Sequence, residues 1–212
     1  MNTLNISIIC NNCLGARFYK EHKYEFNNPF MWNCIEPVEF VKLIKTWDNI
    51  DLKDAKFELI KTNSKEYANT IIGDNINFNY IHYIHDESQE IPIKIYADIV
   101  YKDILLYTKN KYFERLSRMP KKKIFIFNTA HYLNEEHFSV KCKGDSLLDE
   151  LNELAKINDI IVILDSSHKY NNDNINFKII YCDNIYGKSA LDILNKDNYL
   201  DKLICKYVNI NE

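Results

Sequence analysis

The sequence predicts an α/β protein of three layers, a mostly parallel sheet flanked by helices, with 75–84 as an antiparallel or edge addition. Three observations carry this. The apolar runs ISIIC, KIFIF, IIVIL and FKIIY are short and continuous, as strands buried on both faces are. Segments with helical spacing lie between them. One run alone alternates, with Ile76, Phe78, Tyr80, His82 and Ile84 on one side.

Taken in order, Leu4 to Cys10 reads as a buried strand. Asn11-Asn12 turns the chain, and either Asn can cap a helix. Cys13 to Lys23 follows as that helix, with Leu14, Phe18 and His22 on one face. Pro29-Phe30-Met31-Trp32-Asn33 is a loop of large apolar side chains. Glu36-Pro37 opens a second helix that ends near Trp47, with Pro suited to a first turn. Phe57 to Thr62 and 75–84 are strands, and Ala97 to Arg118 is a long helix closed by Pro120. Lys123 to Asn128 is a strand, Leu147 to Ile157 an amphipathic helix, and Ile160 to Leu164 and Phe177 to Cys182 are strands. A last helix falls between Asp197 and Val208. No repeat, linker or low-complexity segment divides the 212 residues, so a single domain is expected.

A net charge of -3 and a pI of about 6.1 exclude a global field for nucleic acid. Lys121-Lys122-Lys123, the one basic run, solvates the start of a strand. No window approaches about 18 consecutive apolar residues, so no membrane span is expected. MNTLNISIIC is too short and polar for a secretory signal, which makes the expected location cytoplasmic. There Cys10, Cys13, Cys34, Cys142, Cys182 and Cys205 stay as free thiols. Cys10-x-x-Cys13 has the spacing of redox and zinc sites, but no second pair follows, and Cys10 sits in an apolar strand as a small core residue. No metal or cofactor is expected, and nothing assigns an oligomeric state. Asn, Ile, Lys and Tyr are over-used, a bias that AT-rich codons explain, so single Asn, Lys and Tyr residues carry little functional weight.

Ligands of open parallel sheets sit beyond the carboxyl ends of the strands. Past the first strand come Asn11, Asn12 and Cys13; past KIFIF come Asn128, Thr129 and His131; past IIVIL come Asp165, Ser166, Ser167 and His168; past FKIIY come Cys182 and Asp183. Cys13 is the sharpest of these. A thiol at the first turn of a helix feels the positive end of the dipole and unpaired N–H groups, which favour thiolate. Arg17, four residues on, adds to that, and Gly15 leaves room for a substrate at the backbone. A base for Cys13 is offered by His82 or His85, with Asp86 beside His85. The same His-x-x-His-Asp pattern lacks a third ligand at a recognisable spacing for a metal.

The run Ile9-Cys-Asn-Asn-Cys-Leu-Gly15, then Phe18-Tyr-Lys20, then Tyr24-Glu-Phe-Asn-Asn-Pro-Phe-Met-Trp32, resembles the start of a bacterial family of exopolysaccharide biosynthesis proteins. That family has S-N-N-C-W-G-G after a strand, an N-[ST]-P segment, an H-F-x-H-Y-like strand and a W-x-R-R-x-x-R helix. His82, His85 and Phe113-Glu-Arg115-Leu-Ser-Arg118 match the last two. Leu14, Ala16 and Phe113 stand where the family has Trp, Gly and Trp. The resemblance covers roughly residues 4 to 120. Pro29-Phe-Met-Trp32 is also similar to the P-F-D-W segment of a group described as papain-like cysteine peptidases, with Met31 in place of its Asp.

The resemblance implies a part in making bacterial surface polysaccharide, with a glycan or activated sugar precursor as partner. On the leading reading the chain is a transferase or hydrolase. Cys13 attacks, a histidine of 82–85 is the base, Asn11 and Asn12 donate to an oxyanion, and Arg17, Arg115 or Arg118 clamps a phosphate or carboxylate. Trp32, His131, Asp165 and His168 complete the candidate binding residues. A second reading is a sugar-nucleotide-binding, glycosyltransferase-like enzyme without a covalent step. In it Asn128–His131 and Asp165–His168 hold the nucleotide, although the chain has only four glycines and no P-loop or G-x-G-x-x-G. A third is a non-catalytic partner in a polysaccharide assembly complex, anchored by exposed aromatics of the 29–32 loop.

Overall fold

The computed structural model describes residues 3–31, 33–61, 66–73, 75–79, 100–131, 136–141, 143–188, 193, 202 and 204–206. Four strands, β1 (Ser7–Cys10), β6 (Lys123–Asn128), β7 (Ile160–Asp165) and β8 (Lys178–Cys182), form a parallel sheet in the order β1-β6-β7-β8. The helices are α1 (Leu14–Glu21), α2 (Pro37–Thr46), α3 (Val100–Ser117) and α4 (Gly144–Leu154). Apolar side chains leave the sheet on both faces. Ile124 and Ile126 join one core with Leu14, Ala16 and Phe18 of α1, and Phe125 and Phe127 join the other with residues of α2 and α4. That is the three-layer α/β arrangement the continuous apolar runs predict. Residues 202 and 204–206, within the expected last helix, are helical.

The alternating strand is antiparallel, one of the two settings expected of it. It is β5 (Ile76–Asn79) of a separate antiparallel sheet, ordered β2-β5-β4-β3 with β2 (Cys34–Ile35), β3 (Lys56–Lys61) and β4 (Glu66–Ile72). It does not extend the parallel sheet. Residues 80–84 lie outside the described residues. α3 covers this second sheet, with Tyr112 against Phe57 and Phe78 at ring separations of 5.3 and 6.4 Å. From residue 105 on, its fully buried side chains are Thr108, Tyr112 and Arg115, spaced four and three apart, with Phe113 and Leu116 packed against the core beside them.

β1 is an edge strand of its sheet, and the segment after α1 closes that edge. Asn27 Nδ2 donates to the carbonyls of Leu4 and Ile6 at 2.9 and 3.0 Å, and Asn28 Nδ2 donates to Ile8 O at 3.3 Å. The Tyr19 hydroxyl donates to Asn27 Oδ1 and accepts from Ile8 N–H at 3.3 Å, with Ile6 O also within reach at 3.1 Å. These side chains satisfy backbone groups that a bare edge would leave open. Phe30 then enters one core and Met31 the other, so the chain wraps around β1. Both are fully buried, which removes them as the exposed anchor expected of the 29–32 loop; Trp32 lies outside the described residues. Gly15 has a structural role as well. A Cβ there would meet Ile8 O at 3.2 Å and Cys10 Cβ at 3.5 Å, so its missing side chain lets α1 lie close on β1 rather than admitting a substrate.

Candidate functional site

All four parallel strands end at one edge, and the loops that leave it are tied together. Asn11 forms a reciprocal pair with Asn128, its Nδ2 donating to Asn128 O at 3.1 Å and its Oδ1 accepting from Asn128 N–H at 2.8 Å. Its own carbonyl accepts from Ile35 N–H at 2.8 Å, which fastens β2 beside the end of β1. Asn12 Oδ1 accepts from Leu14 N–H at 3.0 Å, the cap expected of this pair, and from Cys10 Sγ at 3.1 Å. Both amides therefore hold the turn, and an oxyanion role for Asn11 competes with the bridge to Asn128.

Cys13 stands just before α1, as the spacing predicts, and its surroundings reverse the expected effect on the thiol. Burial pushes it up to about 12, with Cys34 and Cys10 adding to the rise; Arg17 lowers it by less. Sγ donates to Asn33 O at 3.6 Å. Desolvation exceeds the help of the helix start and the guanidinium, so the resting group is a thiol rather than the expected thiolate. Cys34 is pushed up to about 11 by burial and by Glu36, and Cys10 to about 12 by burial. Cys10 is a core residue, as read from its strand. Among the described residues no group of three or more His, Cys, Asp or Glu could hold a metal.

Two amides at this edge are incompletely bonded. Asn33, wholly buried, has both Nδ2 and Oδ1 without a hydrogen-bond partner. Asn128 Oδ1 accepts from Ala130 N–H at 3.0 Å while its Nδ2 has no partner. Buried amide atoms are otherwise paired almost everywhere. Asn33 does not stand out in the sequence, where Asn is abundant throughout.

Further along the edge, Asp165 staples loops. Oδ1 accepts from Ser167 N–H and Oγ at 3.0 and 2.6 Å, and Oδ2 from Ile185 N–H at 2.7 Å. Burial raises its carboxyl, but those three bonds and Lys188 more than offset it, leaving it below its usual range. His168 lies after β7, two strands from β1 and so about 10 Å across the sheet. Its ring meets Phe138 at 5.3 Å and its Nε2 is 3.3 Å from Asp145 Oδ1. His131 ends the short helical turn Thr129–His131 after β6. His82, His85 and Asp86, the expected base and its orienting carboxylate, lie outside the described residues.

Arg115 and Arg118 belong to another place. Partners of α1 move from Cys10 at Gly15 to Ile6 at Tyr19, so the helix runs back along β1 to the amino edge. There a cleft of about 370 Å³ opens between residues 20–26 and α3. Lys20, Lys23, Lys111, Arg115 and Arg118 line it with Glu25 and Glu114. Arg118 pairs with Glu25 and, at 3.1 Å, with Glu114. The buried Arg115 guanidinium sits 5.1 Å from the centre of the Phe26 ring. These arginines are at the opposite end of α1 from Cys13, so they cannot share a small ligand with it; Arg17 alone of the three stays near the thiol.

Fold and site together define an α/β protein with amides and thiols gathered at the carboxyl edge of a parallel sheet. Residues 1–142 match the family described as DUF1919, a domain of unknown function, and the chain belongs to that family. No curated protein matches it. No helix among the described residues is long and apolar enough to cross a membrane.

Proposed function

We propose that the chain acts on a sugar-bearing precursor of bacterial surface polysaccharide at the carboxyl edge of the parallel sheet, as a transferase or hydrolase. The observation that carries this reading is the buried Asn33 amide, unpartnered at both polar atoms, on the residue whose backbone carbonyl meets Cys13; Asn128 at the end of β6 likewise has an open Nδ2. A primary amide offers a donor and an acceptor side by side, which suits hydroxyl or acetamido groups of a sugar. The likeness of Asn11-Asn12-Cys13 and its flanks to the exopolysaccharide biosynthesis proteins supports the substrate class.

Two forms of the reaction divide on Cys13. In the covalent form a base takes the thiol proton as substrate arrives, sulfur bonds to an acyl carbon of the substrate, and the C–O bond to the sugar hydroxyl breaks, that oxygen leaving with the proton from the base. In the non-covalent form Cys13 is a hydrogen-bonding wall, and a thiol held up to about 12 favours this second form. Polysaccharide made by the source bacterium with its gene deleted, then restored with Cys13→Ala or Cys13→Ser, separates them. The covalent form expects loss of product with both variants. The non-covalent form expects at least about a tenth of normal output with Cys13→Ala, a loss within about 1.4 kcal/mol. Unchanged polysaccharide in the deletion strain overturns the reading altogether.

A further inference from the structure

We infer that the amino-edge cleft between the end of α1 and the end of α3 is a second site, which takes a small phosphate ester. Among the described residues five cations and two carboxylates line it, in a chain whose net charge is -3, so the described wall of the cleft is more basic than the molecule as a whole. The arrangement is built rather than incidental. Arg115 is only 5% exposed and its guanidinium is held against Phe26, which fixes the direction of its donors. A planar fork held in place suits a phosphate.

Size and wall chemistry select the ligand. A cleft of about 370 Å³ matches small-molecule sites and is more than a polymer backbone lying on a surface needs. Tyr24 and Phe26 add apolar wall beside the cations, which fits a ring attached to the phosphate better than the bare ion. Glu25 and Glu114 hold Arg118 by pairs that are partly solvent-exposed. Such pairs are weak, so an incoming dianion can take over the guanidinium. The inference is independent of the carboxyl-edge reading, because nothing in the cleft touches Cys13.

Calorimetric titration of the full chain with inorganic phosphate, glucose 1-phosphate and uridine diphosphate tests it. At least one ester is expected to bind about tenfold more tightly than inorganic phosphate and to weaken as salt is raised. Lys20→Glu with Lys111→Glu is expected to weaken that ester by about tenfold or more. Both lysines reach solvent, and the far-ultraviolet spectrum of the double variant checks that it is folded; Lys23→Glu repeats the test at a third, exposed position. Cys13→Ala is expected to leave this binding unchanged. No heat from any probe up to about 10 mM, binding indifferent to the charge reversals, or tight binding of heparin in place of the small esters would overturn the inference.

Discussion

At the start of α1, the Cys10 thiol and the amides of Asn11, Asn12, Asn33 and Asn128 are buried, the thiols of Cys13 and Cys34 are partly buried, and all are uncharged. At the end of the same helix, five cations and two carboxylates surround an open cleft. Eight helical residues separate the two. Among the described residues the first end offers hydrogen-bonding groups with Arg17 and Glu36 as its charged neighbours. The second can hold an anion but has no nucleophile. Gathering Cys13, Arg115 and Arg118 into one site, as the sequence suggests, would require α1 to run the other way along β1.

Buried amides of one residue type do opposite things toward the two ends of α1, and substitution can sharpen that contrast. Asn27 makes three bonds, to Leu4 O, Ile6 O and the Tyr19 hydroxyl, all buried at the β1 edge. Asn27→Ala strips Leu4 O of its side-chain partner and leaves Ile6 O only the Tyr19 hydroxyl, and an expected loss of about 2 kcal/mol follows in urea unfolding. A loss below about 1 kcal/mol would show that the clamp does not hold the edge. Asn33 should behave in the reverse way. Its amide is buried without a partner, so Asn33→Ala removes an unmet desolvation cost and is expected to raise stability by about 1 kcal/mol, while weakening sugar binding. Destabilisation comparable to that of Asn27→Ala would place Asn33 among the structural amides and remove the main support for the sugar site.

Reading the sequence succeeded where burial is uniform. IFIF of β6 and IIVIL of β7 are apolar throughout because both faces of these strands meet a core, and period and length identify them. It missed β4, EYANTII, whose polar first half hides a strand that pairs with β3 and β5. Positive φ at Gly73 and Asn75 marks its turn into β5, a signal present in the sequence but not used. The edge clamp was missed for a compositional reason: discounting Asn as a codon effect also discounted Asn27 and Asn28. The electrostatics of Cys13 were misjudged for a geometrical one. Its place before a helix is legible in the sequence, whereas its burial, and the approach of Cys34 from twenty-one positions away, depend on the packing of β2 against the end of β1.

That burial gives the smallest and most specific of the expected effects. Free thiols ionise near 9, while Cys34 and Cys13 are held up to about 11 and about 12 in the folded chain. Between those values the unfolded state has lost protons that the folded state keeps. With fewer protons bound when unfolded, stability falls as pH rises above about 9, and below it the thiols contribute no slope. Tyr19 and Tyr112 are raised by burial too and bend the curve the same way, so the informative quantity is a difference. Between about pH 8 and about pH 9.5, Cys34→Ala should lose less stability than the parent chain, by about 0.5 kcal/mol. Parallel pH curves for the two proteins would mean that Cys34 ionises as freely as a thiol in water. The carboxyl edge would then be wet, and the contrast between the two ends of α1 would be one of charge alone.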